Sequence, residues 1–431
     1  MAATSSRWRW GFGLLAWLSL TLVSPAEESS QNPTNSTPDT VPVAIQAPFG
    51  ATPPAPLPVP TPQAVVPERW FLMQEAQGSW LGAALEEQRL LVSGWTQTSF
   101  TASTDDHDQL PLAFNYKANQ FLLQQNWLRI DRTVLTSGTS EPSFGFRFDT
   151  ILPGSDYRFT VARGLFDGQL TANHGTPNTY GIDPIQFYGE AYVPTIARGF
   201  DVKVGRFFSQ YGIESTDAIS NALASHSYTD IYDPFTHTGV LTQTKLTDVW
   251  TVQAGAVLGS DDFIDRVDNA TFIGSVKWAA TDQRNSVLVN MIAGQGRFNQ
   301  PRNFHNPELL DLVFTHKYDP RLTYYFESLY GFTNNVPNVG TANWLGILNY
   351  LVYDFTSQVS GTTRLEFFDD FQGQRTGFPG LYVDLTAGFR YRPVKWLQLR
   401  QEVRYDYHTE TAPFEGKHGL FTAASDVILR W

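Results

Sequence analysis

The chain has 431 residues, of which 42% are apolar and 14% aromatic, with 33 glycines, no cysteine and a mean hydropathy of -0.24. That average excludes a helical membrane protein while leaving length for a large all-β fold, and the missing cysteine excludes disulfides, thiol chemistry and the acylated cysteine of a lipoprotein. The formal charge of -12, which becomes about -14 once the two leader arginines are subtracted, argues against nucleic acid as a partner.

Residues 1–26 read as a secretory signal peptide, with Arg7 and Arg9 as its positive region, Gly11 to Val23 as its apolar stretch and Ser24-Pro25-Ala26 as a small-residue cleavage site. The apolar stretch is too short to anchor the chain in a membrane. Residues 27–67 are rich in Ser, Thr and Asn and then in Pro, up to the run Pro53 to Pro60, and read as a disordered polyproline-type spacer. Residues 68–90 carry a short amphipathic helix, Trp70 to Arg89, leading into the first strand.

From Leu91 to the end the pattern is that of strands. Segments begin near 91, 119, 142, 184, 200, 237, 249, 270, 285, 309, 322, 342, 356, 381, 396 and 419, most of them long enough for a tilted membrane-crossing strand. The alternation is cleanest near the C-terminus, where Leu397, Leu399, Gln401, Val403, Tyr405 and Tyr407 share one face and Gln398, Arg400, Glu402, Arg404 and Asp406 the other. In a soluble sandwich the charged face meets bulk water; in a barrel it meets a lumen, and aromatic residues such as Trp278, Tyr391 and Trp396 form the interfacial girdles.

Short links near 194–199, 281–284, 319–321 and 393–395 alternate with long ones near 104–118, 153–183, 210–236, 295–308 and 409–418. Such parity belongs to an outer-membrane barrel with both chain ends on the short-turn side. Asp156 to Gly164 is strand-like but would make the count odd, so it belongs in the second long loop. The last segment sets Phe421, Ala423, Ser425, Val427, Leu429 and Trp431 against Thr422, Ala424, Asp426 and Arg430, and an amphipathic strand ending on an aromatic residue resembles the signal read by barrel-assembly machinery.

Three stretches resemble the putative β-barrel porin type 2 (OmpL-like) family. They are Trp80 to Glu86 running into Ser93-Gly94-Trp95-Thr96; Gly145 to Asp149 with Gly154 to Thr160; and Val204-Gly205-Arg206-Phe207-Phe208 followed by Tyr211 to Glu214, Ser225 to Thr229 and Pro234 to Val240. The resemblance covers the chain beyond the spacer and implies a porin in the cell outer membrane of a Gram-negative-type envelope.

A pore acts through its bore and the charges lining it. On alternation the inward-facing charges include Arg147, Asp149, Lys203, Arg206, Arg364, Glu366, Arg390, Arg392, Arg400, Glu402 and Arg404, each of them first of all a solvated charge paired across strands. Arg390, Arg392, Arg400 and Arg404 come from two adjacent strands and make one expected positive patch. The third long loop, with Glu214, Asp217, Asp230 and Asp233 and no Lys or Arg, is expected to face that patch across the lumen, by analogy with general diffusion porins.

Enzymatic chemistry has little support. The chain lacks a Walker A loop, a Gly-x-Ser-x-Gly elbow and a His-Glu-x-x-His helix. Ser225-His226-Ser227 with Asp230 has the residue types of a hydrolase triad, but a triad is defined by geometry rather than adjacency. The eight histidines are scattered without metal-ligand spacing, and Asp105-Asp106-His107-Asp108 reads as a solvated charge run before a calcium loop. The expectation is a single all-β transmembrane barrel of about 16 strands that passes small hydrophilic solutes or ions passively, needs no cofactor and forms trimers by analogy with general porins. A barrel that anchors a structural or adhesive surface protein is the alternative, and a barrel enzyme the lesser one.

Overall fold

A computed structural model describes residues 70–137, 139–264, 270–294 and 307–431; the expected leader and spacer, 1–26 and 27–67, lie outside these. The segment before the barrel forms two short helices rather than one, α1 (Phe71–Glu75) and α2 (Trp80–Glu87). Gly78, at a φ of +81°, makes the break in a conformation that side chains disfavour, and Ser79 caps α2 by accepting the Gly82 amide at 3.1 Å. The amphipathic expectation also fails for α2, because Trp80 and Leu81 stay exposed. Trp70 instead packs edge-on against Trp95, with ring centroids 6.3 Å apart.

Sixteen strands follow. They are β1 (Leu91–Ser103), β2 (Phe121–Arg132), β3 (Ser143–Gly154), β4 (Gly181–Val193), β5 (Phe200–Phe208), β6 (Thr236–Lys245), β7 (Trp250–Val257) and β8 (Thr271–Ala279). The second half comprises β9 (Asn285–Ala293), β10 (Glu308–Lys317), β11 (Leu322–Val336), β12 (Gly340–Asp354), β13 (Val359–Asp370), β14 (Gly380–Val394), β15 (Leu397–His408) and β16 (Gly419–Arg430). Every start lies within three residues of its sequence expectation. Each strand pairs antiparallel with its neighbours, and β1 pairs with β16 from Trp95↔Arg430 to Ser103↔Thr422, closing the barrel. Closure leaves no sheet edge, as lipid demands, since hydrocarbon offers no partner to a backbone N–H or C=O.

The pleat separates two environments. Along β14 to β16, Leu385, Phe389, Val403, Tyr405, Phe421 and Val427 are exposed toward lipid, while Asp384, Thr386, Arg400, Arg404, Asp406 and Asp426 are buried inside. Trp250 stands directly opposite Trp278, and Tyr353, Phe355, Tyr391 and Trp396 continue an aromatic belt at the short-turn end. That end has turns such as 194–199, 318–321, 355–358 and 395–396; the other carries loop 1 (104–120), loop 2 (155–180), loop 3 (209–235), loop 7 (371–379) and loop 8 (409–418). Residues 337–339 break the rule with a three-residue outer link, because β11 and β12 each run for 15 residues. Asp156 to Gly164 does lie in loop 2, where Tyr157–Thr160 forms a single helical turn, α3.

Gly205, in the Val204-Gly205-Arg206 stretch, has a φ of +137°, and a Cβ there would collide with the Phe187 carbonyl and lie 2.7 Å from Tyr188 Cα. A side chain at this point of β5 would force it away from β4.

The barrel interior is filled from above. Leu112, Phe114, Tyr116 and Ala118 of loop 1 are all buried, and Leu112 joins inward-facing Leu309, Leu329, Trp344 and Phe368 and loop 3 Tyr228 in one apolar cluster. The lipid face yields a direct test. Leu385→Arg, near the middle of β14, is expected to destabilise the barrel by about 2–4 kcal/mol in denaturant titrations of protein refolded into phospholipid vesicles.

Candidate functional site

Loop 3 enters the lumen and crosses it. A buried, irregular backbone must find hydrogen-bond partners other than its own, and here the barrel wall supplies them with charges of both signs. Glu402 accepts the Ala224 and Ser225 amides at 2.7 and 3.0 Å. Glu366 accepts those of Tyr228 and Thr229 at 2.8 and 2.7 Å, at the start of the short helix α4 (Tyr228–Ile231). Glu327 takes the Ile213 amide at 2.9 Å. Loop carbonyls go to arginines: Arg400 donates to Ala218, Asn221 and Leu223 at 3.0, 3.1 and 2.6 Å, Arg404 to His226 at 2.6 Å and Arg364 to Ser225 at 2.9 Å.

Each of these arginines is also neutralised by the wall. Arg364 pairs with Asp384 at 2.6 Å, Arg404 with Asp406 at 2.7 Å, and Arg400 with Asp426. All three guanidinium groups are at most 2% exposed, so the pairs stand in a water-poor setting where removing one partner is costly.

At the centre of the loop, His226 Nδ1 lies 2.7 Å from Asp230 and 3.2 Å from Glu214. Burial alone would push the imidazole down, but the two carboxylates outweigh it and raise His226 to about 10. Burial pushes the Glu214 carboxyl up, yet His226, Arg364 and the Tyr350 hydroxyl hold it at about 2. The three groups could bring ligand atoms within 4.8 Å of one another. A protonated imidazole already bridges the carboxylates, however, and this is an ion-pair arrangement.

The hydrolase pattern does not assemble. Ser225 Oγ accepts a hydrogen bond from Arg364 at 3.0 Å and Ser227 Oγ one from the Asp230 amide at 3.1 Å, so both hydroxyls are engaged away from the imidazole. The Asp105 to Asp108 run is held by loop 8, where Glu415 accepts the Asp106, His107 and Asp108 amides at 2.8, 2.9 and 3.3 Å. Those three bonds, with the Asp106 amide foremost, bring the Glu415 carboxyl to about 2.

The expected positive patch divides in two. Arg400 and Arg404, together with Arg364, lie beneath loop 3 and in contact with it, instead of facing it across open water. Arg390 and Arg392 line a separate pocket at the short-turn end. The acidic loop residues divide as well: Glu214 and Asp230 hold His226, Asp217 approaches Arg129 at 3.5 Å, and burial raises the carboxyl of Asp233. Arg147 pairs with Asp131 at 2.9 Å, Asp149 with Arg129 at 2.8 Å and Lys203 with Glu190 at 3.6 Å.

Arg206 departs from expectation altogether. It keeps step with exposed Val204, not with Lys203, and is wholly buried, binding Asp183 at 2.7 Å, the Thr160 carbonyl at 2.6 Å and Thr236 Oγ1 at 3.1 Å. It ties loop 2 to β4 and β6 and meets no water. Sequence reasoning passed over Arg129, Asp311 and Glu327, and placed Asp406 and Asp426 on the inward face without counting them among the pore-lining candidates. Asp406 and Asp426 sit on the inward parity, whereas Arg129 lies in a stretch that alternates poorly.

His226→Gln would leave Glu214 and Asp230 buried without their cation, and is expected to cost about 3–5 kcal/mol in denaturant unfolding of the refolded barrel. The sign with pH follows from the two shifts. The His226 contribution is fully present below its ordinary value of 6.5 and is lost as pH rises through about 10; that of Glu214 is present above 4.5 and lost as pH falls through about 2. The variant should therefore lack the alkaline limb of the wild-type stability profile.

The family described as "Putative beta-barrel porin-2, OmpL-like" matches residues 89–429. Comparison with curated proteins finds no match. Among solved structures, the outer membrane channel DcaP of Acinetobacter baumannii is similar at a TM-score of 0.53 and 10% identity, covering 79% of this chain and 97% of its own. OprB of Pseudomonas putida gives 0.51 and 10%, with 82% and 96% covered, and the anion-selective porin from Comamonas acidovorans gives 0.50 and 9%, with 79% and 99%. At these identities the solved structures speak for the fold, and the family match covers most of the chain. The chain belongs to the beta-barrel porin-2, OmpL-like family and is an outer-membrane porin.

Proposed function

We propose that loop 3 sets the bore of this passive pore for small hydrophilic solutes, and that its position is held by wall charges, not by the loop's own fold. The observation that carries this reading is the path of the loop. It leaves β5, contacts Glu327 on β11, reaches Gln125 on β2 through the Thr216 carbonyl at 2.9 Å, and returns along Glu402 and Glu366 to β6. Solute crossing the barrel must pass what this loop leaves open. The carboxylates and arginines that grip it act as positioning residues, and Glu214, Asp217, Asp230 and Asp233 give the constriction an acidic character tempered by His226.

Recognition by barrel-assembly machinery through β16 fits the same reading. Trp431 follows directly on β16, and its indole lies against Gly94 of β1.

The test is single-channel recording of the refolded mature chain in planar bilayers. Glu366→Gln with Glu402→Gln keeps side-chain shape but weakens the charged grip on four loop amides. Larger conductance steps and more open-channel noise than wild type are expected. Steps of unchanged size and noise would sink the role given to loop 3, and a folded wild-type barrel that never conducts would sink the pore reading itself.

A further inference from the structure

The second group of arginines has a property that the first lacks: among the described residues none of them forms an ion pair with a carboxylate at close range. Arg321, Arg390 and Arg392 border a pocket of about 440 Å³ at the short-turn, periplasmic end of the lumen, together with Asp354 and Ser360. Among the described residues none of these three arginines has a carboxylate within 4.0 Å, unlike Arg364, Arg400 and Arg404. Arg392 donates its Nε to Gln398 at 2.8 Å, and Arg390 has no side-chain hydrogen bond.

Neighbouring groups share the same deficit. The Ser360 hydroxyl, on a residue 4% exposed and directly opposite Arg390 in the β13–β14 register, has no partner. Gln398 spends its carbonyl on Arg392 and Arg430, at 2.8 and 3.0 Å, and its buried Nε2 is left over. Arg390 also stands directly opposite Arg400, a like-charge register that a sheet tolerates only at some cost. The pocket is thus lined by hydrogen-bond donors and positive charge, with Asp354 the one carboxylate along its wall. Its volume lies within the range of small-molecule sites.

We propose that this pocket is an anion site at the periplasmic mouth of the pore, built for a small oxyanion, a phosphate or carboxylate group, and that it biases the pore toward anionic solutes. Two or three guanidinium groups around one cavity match such an oxyanion in charge and fork geometry. The Ser360 hydroxyl supplies a neutral donor, and Gln398, outside the lining, orients Arg392 by accepting its Nε–H. The inference rests on the porin reading and adds a solute class to it. It also places selectivity at the periplasmic end, away from loop 3.

The experiment uses the full mature barrel in zwitterionic phosphatidylcholine bilayers across a potassium chloride gradient, with inorganic phosphate as the probe. Wild type is expected to show a saturable reduction of current by phosphate. Arg390→Gln with Arg392→Gln is expected to move the reversal potential toward potassium and to weaken the phosphate effect by about tenfold or more. Arg390 makes no side-chain hydrogen bond and Arg392 makes one, to Gln398, which Arg430 also bonds, so this variant should fold, as heat-modifiable gel mobility will report. Asp354→Asn should move the reversal potential the opposite way. Equal reversal potentials and equal phosphate responses in wild type and the arginine variant would overturn the proposal. Repeating the titration with phosphatidylglycerol in the bilayer separates free phosphate from a lipid headgroup: a phosphate effect lost only there, and restored in phosphatidylcholine, means that headgroups occupy the same arginines. If the folded barrel carries no current, the porin reading falls and calorimetry decides the site alone. Arginine-dependent heat on adding phosphate supports it, and no heat with wild type overturns it.

Discussion

Burying an irregular loop inside a β-barrel is a hydrogen-bonding problem before it is anything else. Strand backbones are satisfied by their neighbours, but loop 3 runs through the lumen with only one four-residue helix of its own. Left unpartnered, each of its amides and carbonyls would cost of order 1–3 kcal/mol. The wall resolves this with side chains: carboxylates from β11, β13 and β15 collect amides, and arginines from β13 and β15 collect carbonyls. The inner face of this half of the barrel is therefore charged yet dry, its ions used up on the loop and on one another.

Two consequences follow for the pore. First, the charges with the most structural work are the least available to a passing solute, since Arg364, Arg400 and Arg404 are shielded by both aspartates and loop backbone. Second, the charges left over stand out. Arg390 is level with Arg400 across the β14–β15 register and Arg392 lies one pleat nearer the periplasm; among the described residues neither bonds loop 3 and neither has a carboxylate within 4.0 Å, Asp354 standing further off along the pocket wall. Alternation makes both groups alike in sequence; the path of loop 3 and the placement of the wall aspartates make their surroundings different.

The two mouths of the barrel also differ in kind. At the outer end, loops 1, 2, 3, 7 and 8 surround a cavity of about 710 Å³ walled by residues such as Leu110, Phe159, Tyr232, Phe235 and Phe378. Loop 8 is stapled there to loop 1 by Glu415 and by Lys417, whose Nζ lies 3.2 Å from Asp105. Phe114 of loop 1 stacks on His226 with centroids 4.2 Å apart, so the outer loops press on the constriction loop from above. Among the described residues the periplasmic end has short turns and the two short helices that precede β1, with Trp70 packed on Trp95. Solute meets an apolar, aromatic entrance on one side and a basic one on the other.

Much of this was legible in the chain because strand periodicity is local. A lipid face and a lumen face must alternate residue by residue, so strand number, strand starts, loop parity and the inward placement of Arg364, Glu366, Arg400, Glu402 and Arg404 could be read from spacing alone. Asp156 to Gly164 was placed correctly by counting, since an odd strand would have put the chain ends on opposite sides of the membrane. Local patterns failed where tertiary contacts override them. Gly78 splits the expected helix before the barrel, and Arg206 falls out of step with Lys203 and is claimed by Asp183 and Thr160 from loop 2. Which arginines are neutralised, and whether loop 3 faces them or lies on them, depends on contacts between residues 135 to 185 positions apart, such as Tyr228 with Glu366 and Arg400 with Ala218. Periodicity sets the face a side chain occupies. Only the closed barrel, by fixing the depth of each side chain and the path of the loop over it, decides what that side chain meets.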